Sequence, residues 1–133
     1  MEIKQILHPK YFLIGIGVLF LIAGTYNFVD AENAAETAYP DTSTDRDVFY
    51  EQTFGAFSIG LASLSLVTGI FVKGRELSIM AIAASGSMLV VFSLHYTSGE
   101  AVDYGYNNPV LFGVLASILA LQAVSGYIHL ESE

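Results

Sequence analysis

The chain has 133 residues, of which 53% are hydrophobic and 14% charged, with a mean hydropathy of +0.56. A water-soluble domain carries about a quarter of its residues charged, so most of this surface faces something other than water. The net charge of −8 excludes nucleic acid as a partner, since no basic patch could neutralise phosphates, and the lack of cysteine excludes disulfides, thiol nucleophiles, iron–sulfur clusters and Cys-ligated zinc.

Lys4 and Lys10 precede a first apolar run, Tyr11 to Phe28, that holds no charge. As a helix its 18 residues rise about 27 Å, most of a hydrocarbon core of about 30 Å. A signal peptide is the competing reading, but the run is long for one and no A-x-A site follows it cleanly. The acidic stretch 29–47, VDAENAAETAYPDTSTDRD, is longer than most connections and reads as a partly ordered cap or a contact for a basic partner. Its plain alternative is a solvated connector. Thr44-Asp45-Arg46-Asp47 then supplies N-cap candidates and acidic first-turn charge for a second run, Val48 to Val72, whose only charge is Glu51. Only Lys73-Gly74-Arg75-Glu76 separates it from a third run, Leu77 to Tyr96, which predicts a tight helical hairpin. After a loop at 97–108, Asn108-Pro109 places Asn at the N-cap and Pro at the first helical position of a fourth run, Pro109 to Leu130. The tail HLESE is short and acidic and is no lipidation or retrieval signal.

The predicted fold is all-α: one transmembrane domain over 1–133, a polytopic four-helix bundle with spans at about 11–28, 48–72, 77–96 and 109–130 and outer loops at 29–47 and 97–108. Closed barrels need about eight strands or more and are excluded. Lys4, Lys10, Lys73 and Arg75 lie on one side, whereas Arg46 is alone on the other among most of the acid. The positive-inside rule then puts both termini in the cytoplasm and the acidic loops on the outer face of a cell membrane.

Helices in lipid associate through close backbone approach at small residues. The second span offers Ala56-x3-Gly60, Ser58-x3-Ala62 and Ser65-x3-Gly69; the third holds Ala81 and Ala83 to Ser87, including Gly86; the fourth has Gly113-x3-Ser117 and Ala116-x3-Ala120. Gly17 and Gly24 share one face of the first. Gly60, Gly69, Gly86 and Gly113 are therefore candidate packing or partner-docking positions. No span carries a charge at its centre, which argues against an ion-coupled carrier. Gln122, the nearest to a buried strong polar group, is expected to hydrogen-bond across the bundle rather than to bind a substrate.

The outer ends bring Tyr26, Asn27, Tyr50, Glu51, His95 and Tyr96 to one level, joined by Asp103, Tyr104 and Tyr106 from the loop. If the second and third helices are antiparallel neighbours, Glu51 and His95 meet. Such a pair can ligate a metal, relay a proton or form an ion pair. Zinc or copper wants more nitrogen or sulfur, and His8 and His129 belong to the opposite side. The plain alternative is an interfacial polar ring.

Gly17-Val-Leu-Phe-Leu-Ile-Ala-Gly24, Glu51 before Gly55-x4-Gly60, and Gly69 ahead of a short basic turn and a third apolar span resemble the small four-helix DoxX-like membrane proteins. The resemblance covers roughly the first three spans; the fourth lacks a Pro-Gly-rich close. It implies a four-helix bundle associated with membrane redox enzymes, including quinone-linked complexes, and transfers no catalytic residue. Three functions follow. The first is a non-catalytic accessory subunit of a larger oxidoreductase-type membrane complex, with lipid and other membrane subunits as partners. The second is a redox helper binding a quinone or a metal at the outer face, and the third a small carrier or channel formed by a homo-oligomer. No cofactor is specified by the residues themselves.

Overall fold

The computed structural model describes residues 3–131, with side chains from residue 5 onward; the Lys4 side chain and the last two tail residues, Ser132 and Glu133, lie outside the described residues. A single turn, α1 (Ile3–Ile6), leads into α2 (Pro9–Val29). His8 caps α2: its Nδ1 accepts from the Lys10 N–H at 3.2 Å, and Pro9 takes the first helical position. The long acidic connection contains a helix of its own, α3 (Ala31–Ala38). Ala31, Ala34, Ala35 and Ala38 recur at helical spacing and are buried, while Glu32, Asn33, Glu36 and Thr37 face outward. The Ala face packs on the ends of α2 and α4 (Asp45–Phe71), so α3 is the cap expected of this stretch.

At the start of α4 the Asp47 carboxylate accepts from the Thr44 N–H at 2.9 Å and from its hydroxyl at 2.6 Å. Two residues, Val72 and Lys73, join α4 to α5 (Gly74–Glu100). The chain turns there through Gly74 at φ 62°, a left-handed conformation that favours glycine. The basic turn therefore forms the first turn of α5 instead of a separate loop, and α5 runs one turn beyond Tyr96, with the Thr97 hydroxyl donating to Ser93 O at 3.0 Å. α6 (Pro109–Ile128) opens as expected: Asn108 Oδ1 accepts from the N–H groups of Val110 at 2.8 Å and Leu111 at 3.2 Å.

α2, α4, α5 and α6 contain 21, 27, 27 and 20 residues, and each is long and apolar enough to cross a membrane. Their outward side chains are large and hydrophobic, Ile22, Phe57, Leu64, Leu94 and Val110 among them. The protein is a small integral membrane protein, an all-α bundle of four such helices.

The four helices form two pairs. α2 packs along α4 and α5 along α6, while α4 and α5 touch little despite their short link. The reason lies in the small residues. The buried face of α4 is Glu51, Gly55, Ser58, Ala62 and Gly69, and that of α2 includes Gly17, Gly24 and Asn27. A methyl on Gly24 would lie 2.9 Å from Gly55 O, and one on Gly55 would lie 2.6 Å from Phe28 N. Lower down, Gly17 meets Ala62 and Leu66, and Gly69 meets Leu13 and Ile14. Ser65 Oγ also donates across to Leu13 O at 2.7 Å. In the other pair Gly126 lies against Ser78 O, and Gln122 Nε2 donates to Ala81 O at 3.1 Å, the cross-bundle bond expected of that residue. Of the four glycines singled out as packing or docking positions, Gly69 is in the α2–α4 contact; Gly60, Gly86 and Gly113 have open space around them.

Gly55→Ala should destabilise the bundle by about 1–3 kcal/mol, the usual cost of overpacking, because the obstructing atoms are backbone. Gly60→Ala should leave stability unchanged or slightly raised. Unfolding in a denaturing detergent, followed by circular dichroism, separates the two; equal effects would mean that α2 and α4 do not meet at Gly55.

Candidate functional site

Asn27 and Glu51 are the polar ends of the two small-residue stripes. Asn27 lies one turn beyond Gly24 on α2, and Glu51 one turn before Gly55 on α4. The backbone contact of the glycines brings the two side chains together: Asn27 Nδ2 donates to Glu51 Oε2 at 2.8 Å. Glu51 is only 4% exposed. Its other oxygen, Oε1, accepts from the Tyr104 hydroxyl at 2.8 Å. Tyr104 belongs to the α5–α6 loop, so one carboxyl group joins three segments that are distant in sequence.

The loop is shaped to deliver that tyrosine. Asp103 takes φ 50°, Tyr104 N–H bonds back to Gly99 O at 3.0 Å, and Gly105 N–H donates to Ala38 O of α3 at 2.8 Å. A side chain at Gly105 would collide with Thr37 O, so glycine is required where the loop crosses α3. The Tyr104 ring sits edge-on to three others: Tyr39 at 5.6 Å, His95 at 5.3 Å and Tyr106 at 5.7 Å. Burial, the hydrogen bond to Glu51 and the Glu51 charge all push the Tyr104 hydroxyl well above the usual phenol range. Tyr39 is also raised, first by burial and then by the charges of Asp47 and Glu51.

His95 reaches the same cluster in a different way from a direct pairing. It is exposed, stacks on Phe54 of α4 at 6.0 Å, and meets the edge of Tyr104. Tyr104, not His95, holds the Glu51 carboxyl. Both Glu51 oxygens already accept one hydrogen bond each, from Asn27 and from Tyr104, so a metal held by Glu51 and His95 would share the carboxyl with these donors. Among the described residues no group of three or more His, Asp or Glu is placed to hold a metal ion. Of the remaining residues at this level, Tyr26 and Tyr50 are exposed, and Tyr96 packs on Phe112 with ring centres 4.8 Å apart. At the opposite end the rings of His8 and His129 lie 5.0 Å apart, so the two terminal segments share one end of the bundle. Burial first, then the His129 and Lys10 charges, lowers the His8 pKa.

The arrangement can hold a proton without coming apart. An ionised Glu51 accepts from both neighbours. A protonated one can still accept from Asn27 and donate to the phenol oxygen, since a tyrosine hydroxyl both donates and accepts. The spacing of Asn27 from Gly24 and of Glu51 from Gly55 carries a signal for the first contact, which the expected pairing of Glu51 with His95 did not use. No sequence signal indicated that Tyr104 would close the site.

No protein-family model, curated protein or solved structure matches this chain.

Glu51→Gln should be tolerated, because a glutamine can accept from Asn27 and donate to Tyr104. Glu51→Leu should cost more, as it leaves the Asn27 amide and the Tyr104 hydroxyl without partners. Tyr104→Phe should cost about 1–3 kcal/mol. Detergent unfolding of the three variants tests the order; a Glu51→Gln as damaging as Glu51→Leu would contradict the network. The raised phenols set a second expectation. A neutral form favoured by the fold stabilises it fully below the ordinary phenol value of 10.0, and that contribution is lost as pH rises beyond it. Absorbance titration of tyrosinate should show part of the tyrosine ionising only as helicity is lost. Complete ionisation near pH 10 with helicity intact would contradict it.

Proposed function

We propose that this protein is a non-catalytic accessory subunit of a larger membrane complex, of the oxidoreductase type that the DoxX-like resemblance implies. In this reading it sits in the cell membrane with both termini cytoplasmic and the acidic α3 cap outside, beside other membrane subunits. One observation carries it. The buried carboxyl at the acidic end ties the chain's own segments together through both of its oxygens, whereas Gly60, Gly86 and Gly113 leave flat places on helix faces directed away from the bundle. Small residues flank each of them: Ala56 and Ser63, Ala83 and Ser87, Ser117 and Ala120 are all exposed. Such faces admit the backbone of a neighbouring helix, the main source of helix association in lipid.

The second reading, a redox helper with a quinone or metal at the acidic end, draws support from the convergence of Glu51, Tyr104 and His95. The two separate in one preparation. After extraction in a mild detergent the protein should migrate on a native gel with larger partners. Gly86→Leu and Gly113→Leu should reduce that co-migration severalfold while leaving the fold intact, since no atom of the chain lies within 4 Å of a Cβ added at either position. A free chain near 14.4 kDa of protein would sink the accessory role. Bound metal or a visible absorption band in that free chain would favour the redox helper.

A further inference from the structure

The two terminal segments are joined at the end of the bundle opposite Glu51. Ser125 of α6, fully buried, donates from Oγ to Leu7 O at 3.0 Å. The next residue, His8, sets its ring 5.0 Å from that of His129, the C-cap of α6, and 5.8 Å from that of Tyr11. Among the described residues α1 has no broad packing on the spanning helices, so these contacts hold the junction. The two imidazoles play different parts in it. His8 Nδ1 accepts from the Lys10 N–H at 3.2 Å, so the neutral ring carries its hydrogen on Nε2. His129 Nδ1 lies 2.8 Å from Ser125 O; a carbonyl only accepts, so this nitrogen carries the hydrogen. A proton added to His129 goes to Nε2 and leaves that bond in place. A proton added to His8 goes to Nδ1, where it turns the acceptor that caps α2 into a donor facing an N–H.

We infer that His8 and His129 form an acid-opened clasp: while His8 is neutral the N-terminal segment is tied to the end of α6, and a proton on His8 releases it.

The closed clasp opposes that proton in several ways at once. The start of α2 carries the partial positive charge of a helix N-terminus. Among the described residues the titratable groups that face His8 are Lys10 and Tyr11 of α2 and His129 of α6. Lys73, Arg75 and Glu76 are exposed at the α4–α5 turn of the same end, and Glu131 is exposed beyond His129. Burial lowers the His8 pKa below the ordinary 6.5, the His129 and Lys10 charges lower it further, and no carboxylate offsets them. A base whose protonated form the fold disfavours leaves the closed state intact above 6.5 and weakens it as pH falls below that value. Opening relieves all of this together. His8 follows Leu7 directly, so moving the ring off α2 draws Leu7 O away from Ser125. The Ser125 hydroxyl then has Leu121 O one turn back, the kind of bond that Ser85 and Ser117 make in their own helices, so release strands no buried donor. The inference is independent of the accessory role: the clasp belongs to one chain and needs neither a partner subunit nor a given orientation in the membrane.

The chain has no cysteine, so Gln5→Cys on α1 and Tyr127→Cys on α6, both at exposed positions, take a pair of spin labels in the full-length protein. Pulsed distance measurement in lipid nanodiscs reads the clasp between pH 8 and pH 5, a range in which exposed carboxylates stay mostly ionised. One short distance should dominate at pH 8. The population at longer distances should rise severalfold by pH 5, with the rise starting below 6.5. His8→Asn keeps a capping oxygen that does not titrate and should stay closed throughout. His129→Asn removes the opposing charge and should shrink the ratio of open chain at pH 5 to that at pH 8. A distance that is the same at both pH values overturns the proposal, as does acid opening that persists in His8→Asn or a ratio undiminished in His129→Asn. If His8→Asn does not fold or is open already at pH 8, nitrogen NMR of the His8 ring in the labelled chain decides. Opening must then follow protonation of His8 Nδ1, and opening while that nitrogen is still unprotonated overturns the clasp.

Discussion

Within a bilayer, apolar surface does not drive helices together, because lipid tails are as apolar as the side chains they would replace. What remains is chiefly dispersion between closely packed atoms and hydrogen bonds between helices, and both require backbones to approach. Gly24 and Gly55 supply the approach in this chain, with Gly17, Ala62 and Gly69 continuing it along α2 and α4. The consequences extend through the molecule. α4 presents its Gly55, Ala62 and Gly69 face to α2, and its second small stripe, through Ala56 and Gly60, lies open rather than against α5. α5 accordingly pairs with α6, where Gly126 and Gln122 lie against Ser78 and Ala81. The two pairs meet through fewer contacts, and clefts remain on both sides of that junction.

The same glycine contact explains why a carboxyl group is buried at the acidic end. Burying an isolated charge is costly unless hydrogen bonds replace the lost water. Glu51 is carried into the interior by the helix face it shares with Gly55, and Asn27 arrives opposite it on the face of Gly24. One amide donor does not satisfy two carboxyl oxygens. The second donor comes from Tyr104, whose loop is held against α3 by the Gly105–Ala38 bond. The cap, the loop and the two helix ends thus support each other through one residue. The edge-to-face rings of Tyr39 and His95 pack on Tyr104 beside it, and Glu51 is left 4% exposed.

Much of this was legible in the amino-acid sequence, and the parts that were not share a cause. The four spans follow from hydropathy, and the starts of α4 and α6 from Thr44-x2-Asp47 and Asn108-Pro109, because these signals are local. Helix α3 was partly hidden: AENAAETA reads as a polar connector by composition, although its alanines have helical period. Partner choice between helices was not legible. α4 carries two small-residue stripes, one through Ala56 and Gly60 and one through Gly55, Ala62 and Gly69, and sequence alone does not say which faces inward. The short Lys73 turn suggested that α4 and α5 pack together, yet chain connection constrains only their ends. For that reason the meeting of Glu51 with His95 became a meeting through Tyr104, a contact set by tertiary placement of a loop.

The polar groups along the spans bear on transport. Ser63, Ser65, Ser85, Ser117 and Gln122 all donate to backbone carbonyls, in their own helix or the next. Ala81 O alone receives both Ser85 and Gln122. A side chain bonded to a carbonyl in this way has its donor occupied and passes no proton onward. Among the described residues the polar cluster around Glu51 and the His8–His129 pair lie at opposite ends of the bundle, and no charged side chain stands between them at mid-span. Among the described residues the Glu51 cluster and the His8–His129 pair thus mark the two ends of the bundle, and the hydroxyls between them are turned onto backbone carbonyls.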